Sequence, residues 1–227
     1  MWQHLEELRK RLFRCIIFFI VCFCVCFNMM DKIIPYIIHP ADKLVFTSPS
    51  DAFGVYVTLG MIASLIITFP YFLYHCWAFV GGALKEPERR FVYIFGPISI
   101  VFFLVGVVFA FWVAVPMSYK FLMSFSSPYL VPMVTVDKYF KFLGQMLLAF
   151  GIAFELPLVM AFFAAIGIAT PGYLIEKRRH AILLILIVAA ILTPPDVGSQ
   201  LTLAVPLVFL YELGIIFVRI AYRGKSF

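Results

Sequence analysis

Between residues 142 and 175 the chain carries one charged side chain, Glu155, within Ala149-Phe150-Gly151-Ile152-Ala153-Phe154-Glu155-Leu156-Pro157. An uncharged run of this kind suits a bilayer, because about 20 apolar residues are enough to cross the hydrocarbon as a helix. A carboxylate at its middle would lie near the bilayer centre. An ionised group there is costly unless it is protonated, paired or facing a wet cavity. Glu155 is therefore a candidate functional residue, the plainer reading being a protonated Glu bonded to a neighbouring helix. Pro157 has no N–H to give, which predicts a bend beside the acid.

The same pattern recurs along the chain. Of 227 residues, 64% are hydrophobic and only 13% charged, where soluble domains run near 25% charged. The expected fold is all-α: one integral membrane domain over residues 1–227, with spans near 12–28, 52–79, 91–115, 139–168, 181–193 and 200–218. Leu5, Leu8 and Leu12 share one helical face among Glu6, Glu7, Arg9, Lys10, Arg11 and Arg14, so the chain opens as an amphipathic helix. The run after it ends without a small-x-small cleavage site and reads as a retained signal-anchor. Residues 31–51 read as a loop, with Ile33, Ile34, Ile37 and Ile38 along the membrane surface, and residues 116–138 read as another. The fifth and sixth spans are short. A dozen apolar residues cover about 18 Å, against a hydrocarbon core of roughly 30 Å, so the bilayer should thin there.

A net charge of +6 invites a nucleic-acid reading, but in a membrane protein Lys and Arg first report topology. On one side lie Arg9, Lys10, Arg11, Arg14, Lys85, Arg89, Arg90, Lys177, Arg178, Arg179, Arg219, Arg223 and Lys225; on the other only Lys32, Lys43, Lys120, Lys138 and Lys141. This bias places both termini in the cytoplasm and accounts for the charge without nucleic acid.

Catalytic and cofactor signals are missing. Cys22, Cys24 and Cys26 point to different faces of a helix, and Cys15 and Cys76 also sit in apolar runs, so all five read as small hydrophobes. His4, His39, His75 and His180 lack a metal-ligand spacing. Gly224-Lys225-Ser226 resembles the tail of a phosphate loop, but Arg219 stands where its first Gly is needed. The chain reads as a non-enzyme without metal or cofactor. What remains is acidic: Glu6, Glu7 and Glu88 on the cytoplasmic side, either in local ion pairs or as carboxylates awaiting a cationic ligand such as a guanidinium.

His4-Leu5-Glu6-Glu7-Leu8-Arg9-Lys10-Arg11-Leu12 resembles the opening of TatC, the core membrane subunit of the twin-arginine protein translocase. The resemblance continues, in order, through Phe69-Pro70, Trp77-Ala78-Phe79, Ala83-Leu84, Glu88-Arg89-Arg90 and the Glu155 stretch. Thr193-Pro194-Pro195-Asp196-Val197, Ser199-Gln200, Ala204-Val205-Pro206 and Tyr211-Glu212 complete it. The chain departs from the family pattern at Gly82, where Pro is usual, and at Lys85, where an aromatic is usual.

The resemblance implies six tilted helices in a concave, glove-like bundle with short fifth and sixth helices, in a bacterial inner membrane. It implies a receptor for the twin-Arg signal peptides of folded precursors, moved by the proton-motive force together with single-span TatA- and TatB-type subunits and further copies of the chain. Glu7 and Glu88 would form the patch for the Arg pair, with Arg9 and Phe79 in support. Glu155 would be the intramembrane Glu exposed in the concave face, Asp196 part of the far-side loop, and Gln200 the start of the last helix; Glu212 is a further intramembrane polar group. The rival reading is a proton-coupled secondary transporter with Glu155 and Glu212 as relay acids. It predicts inverted repeats, and no internal repeat relates the two halves.

Overall fold

The computed structural model describes residues 2–38, 44–46, 48–84, 86–126, 133–192 and 197–223. Among them every regular element is a helix: α1 (Trp2–Ile37), α2 (Pro49–Ala83), α3 (Glu86–Phe109), α4 (Val115–Met123), α5 (Val136–Phe154), α6 (Leu156–Ala165), α7 (Pro171–Glu176), α8 (Arg178–Leu192) and α9 (Val197–Arg223). Five stretches are long and apolar enough to cross a membrane: Glu6–Ile37, Ser50–Gly82, Arg89–Met123, Val136–Ala165 and Gln200–Ile220. The chain is a multi-pass membrane protein. α8 has 15 residues, a reach of about 22 Å, which falls short of the hydrocarbon core. α9 is longer than the sequence suggests, at 27 residues, because polar turns extend its apolar middle at both ends.

Two expected loops are partly helical. α1 continues through Pro35 to Ile37, and Ile33, Ile34, Ile37 and Ile38 pack against the main core instead of lying along the membrane surface. α3 runs on through a π-helical turn, Ala110–Ala114, into α4. Pro116 supplies the reason: it cannot donate to the ladder and its ring would crowd the preceding turn, and one wider turn accommodates both. Beyond the helices, Val45 N–H donates to the Val134 carbonyl (3.1 Å) and Val136 N–H to the Val45 carbonyl (3.2 Å), tying the two connections on that side together. Ser48 begins α2 with a capping box: its hydroxyl accepts from the first turn, and its own N–H donates to the Asp51 carboxylate at 2.9 Å.

The core is built by α5. Tyr139, Phe140, Leu143, Met146, Leu147, Phe150 and Ala153 are buried at helical spacing, facing α2, α3, α8 and α9. α3 answers with Ser99, Phe103 and Gly106, and the π turn after it with Ala110, all buried and three or four apart. The two helices approach closely because Gly106 lies against the Phe150 carbonyl and Gly151 against the Phe103 ring. α6 packs on α9, where Gly214 admits Met160.

Candidate functional site

The first candidate site lies where the polar end of α1 meets α2. Glu and Arg four apart on a helix are neighbours: Glu6 pairs with Lys10 at 3.0 Å, and Glu7 Oε1 accepts from Arg11 Nη2 at 2.6 Å and from its Nε at 3.0 Å. Arg11 Nη1 also approaches His75 Nδ1 of α2, at 3.4 Å. These side chains, with Arg14 and Tyr74, line an open pocket of 680 Å³. Both acids are thus in local ion pairs, yet Glu7 sits on the rim of a space large enough for a second guanidinium. Arg9 is exposed on α1 and Phe79 is half-buried on α2. Glu88 lies in the first turn of α3, and its side chain is outside the described residues.

The second candidate site surrounds Glu155. α5 ends at Phe154 and α6 begins at Leu156, with Pro157 in the first turn of α6, so Glu155 occupies the break. Its carbonyl still accepts from Leu158 and Val159, at 3.0 and 2.9 Å, which holds the two segments together. The side chain points inward and is buried, not exposed on an open face as the resemblance implies. Ser99 of α3 donates its hydroxyl to Glu155 Oε2 at 2.6 Å, while Oε1 is buried with no partner among the described residues. The close approach of α3 and α5 at Gly106 and Gly151 is what brings Ser99 within reach.

The other polar residues serve the helix ends. Gln200 donates from Nε2 to the Leu186 carbonyl at 3.1 Å, joining α9 to α8. Glu212 accepts from Arg178 at 2.7 Å, which leaves it poorly suited to relay a proton to Glu155. Asp196 lies outside the described residues. Among the described residues, no group of three or more His, Cys, Asp and Glu is placed to hold a metal. Sequence reasoning missed Ser99 and the His75 contact. The signal for Ser99 was a lone hydroxyl two residues after Pro97 in an apolar run; the Arg11–His75 contact, across 64 residues, left none.

The model of the family described as "Sec-independent protein translocase protein (TatC)" matches residues 3–206. The Sec-independent protein translocase protein TatC of Carboxydothermus hydrogenoformans is 35% identical, over 100% of this chain and 95% of its own length. TatCy of Bacillus subtilis is 34% identical, over 97% and 89%. A crystal structure described as the twin arginine translocase receptor TatC superposes with a TM-score of 0.86 at 32% identity, covering 96% of this chain and 99% of that one. With the family's model matched along most of its length and its helices superposable on a solved member, the chain belongs to the TatC family, as a subunit of the twin-arginine translocase.

Proposed function

We propose that this chain is the signal-peptide receptor of its translocase, and that Glu7 and Glu88 take up the two arginines of the signal. The observation that carries the reading is the Glu7–Arg11 pair: a carboxylate on the rim of an open pocket, already holding one guanidinium through two N–H groups. An incoming Arg can replace Arg11 by exchanging one fork for another, which a Lys ammonium cannot match. Arg9 and Phe79, which do not line the pocket itself, are supporting positions in this reading, and two similar crystal structures are described as the receptor.

In this reading the chain crosses a bacterial inner membrane six times with both termini in the cytoplasm, α8 being the short fifth span. It forms one membrane domain and transports folded proteins, driven by the proton-motive force, without enzymatic chemistry of its own. TatA- and TatB-type subunits and further copies of the chain complete the translocase. A furrow of 470 Å³ between α5, α8 and α9, apolar but for Gln145, suits a single-span helix. Glu155, Gln200, Glu212 and Asp196 are the polar points along the route.

The test is binding of a twin-Arg signal peptide and its Lys-Lys counterpart to the purified protein, with Glu7→Ala and Glu88→Ala alongside. Selective binding of the Arg peptide, lost in both variants, is the expected result. Equal binding of the two peptides, unmoved by either substitution, would overturn the assignment.

A further inference from the structure

A second opening lies beside the Glu7 pocket and, unlike it, is lined by no carboxylate. It is a cleft of 400 Å³ between α2 and α3, with Arg11 and Arg89 at its mouth and Trp77, Tyr93, Gly96 and Ile100 along its walls. Arg89 is exposed and makes no side-chain hydrogen bond or ion pair among the described residues. Arg11 gives Nε and Nη2 to Glu7, and its Nη1 has only the 3.4 Å approach to His75. With no carboxylate along it, this cleft offers the arginines of a signal peptide no partner and is not an extension of the Glu7 pocket.

Its depth and walls are those of a lipid site. From Arg89 to Ile100 α3 climbs 11 residues, about 16 Å, which is half of a hydrocarbon core of roughly 30 Å. A ligand seated here therefore has its anionic end at headgroup level and its tail at mid-bilayer. Tyr74, at 61% exposed, and Tyr93, at 68%, stand at the lip with Trp77 behind them, the amphipathic rings that favour the membrane interface. Gly81 and Gly96 keep the two helices' facing surfaces low enough to leave a channel: a Cβ at Gly96 would already touch the Trp77 side chain at 3.7 Å. Basic pockets between membrane helices at the headgroup level bind anionic lipid headgroups.

We propose that this cleft is a binding site for one anionic glycerophospholipid, its phosphate on Arg89 and Arg11 and one acyl chain along Trp77, Gly96 and Ile100. The inference is independent of the signal-peptide reading, since it uses only a membrane-embedded chain and the charge at the mouth. Trp77 supplies the probe. In a Trp2→Phe/Trp112→Phe background it is the one remaining tryptophan, and its fluorescence is read in vesicles holding either brominated phosphatidylglycerol or brominated phosphatidylcholine.

The expected result is a preference for phosphatidylglycerol at Trp77 that falls about five-fold in Arg89→Gln, the effect of one basic residue near an anionic headgroup. Arg219→Gln, another arginine on α9 and exposed to the same surface potential, should leave the preference unchanged. Gly96→Leu, which fills the channel, should abolish the preference while far-ultraviolet circular dichroism shows the helices intact. Soluble glycerophosphoglycerol at millimolar concentration should not compete. Equal quenching by both lipids, an equal loss in Arg219→Gln, or full competition by the soluble headgroup would overturn the proposal.

Discussion

Removing the Ser99 hydroxyl should destabilise the protein only while position 155 carries an acceptor oxygen. The Oγ–Oε2 distance of 2.6 Å is at the short end for O–H···O bonds, and both residues are buried. Hydrogen bonds between membrane helices average about 0.6 kcal/mol in double-mutant cycles and reach about 1.7. Here the upper end applies, because Oε1 already lacks a partner among the described residues, and Ser99→Ala would leave both oxygens bare. A buried acceptor left unsatisfied costs about 1–3 kcal/mol. In Glu155→Leu the freed Ser99 hydroxyl can turn back to a carbonyl of its own helix, so adding Ser99→Ala there should cost almost nothing. The coupling expected is therefore about 1–2 kcal/mol. Gln at 155 keeps an acceptor oxygen and should retain most of it. Unfolding in mixed micelles by titration with a denaturing detergent measures all four corners of each cycle. A cost of Ser99→Ala that is the same with Glu155 in place as in the Glu155→Leu background would refute the reasoning. Transport by Glu155→Gln adds a separate result: a hydrogen-bonding role tolerates the amide, and a proton relay does not.

Gly106→Ala should cost about 1–3 kcal/mol by overpacking, because its Cβ would lie 2.6 Å from the Phe150 carbonyl, backbone that cannot rotate away. Gly82→Ala, with nothing within 4 Å, should be neutral or up to about 1 kcal/mol more stable; the same titration compares them. Ser48→Ala removes the capping box of α2 and should cost about 1 kcal/mol, seen also as faster amide exchange at Ser50 and Asp51. Arg11 lines both the Glu7 pocket and the basic cleft, so on the two proposals together a signal arginine taking Glu7 would release Arg11 toward the phosphate. Phosphatidylglycerol should then tighten twin-Arg peptide binding about five-fold in wild type and not in Arg89→Gln, as measured by peptide anisotropy in nanodiscs.

The residues that sequence alone could rank were those whose chemistry conflicts with their surroundings. Glu155 stands out because a carboxylate among apolar residues has few tolerable explanations, and Glu7 because its neighbours at three and four residues are basic. The helices themselves follow from apolar length. Their ends did not, since Pro35 and Pro116 look like breaks but are absorbed, one inside α1 and the other by a π turn. Partners were the least legible part. Ser99 meets Glu155 across 56 residues of sequence, and only the rotation of α3 that buries Phe103 and Gly106 turns that hydroxyl inward. Arg11 shows the same limit: its spacing from Glu7 is visible in the sequence, its place between the Glu7 pocket and a basic cleft is not. That place depends on α2 bringing His75 to one side of the guanidinium and α3 bringing Arg89 to the other. A charge run that reads as a solvated helix end thus becomes, through packing alone, two adjacent openings, one holding carboxylates among its cations and the other cations alone.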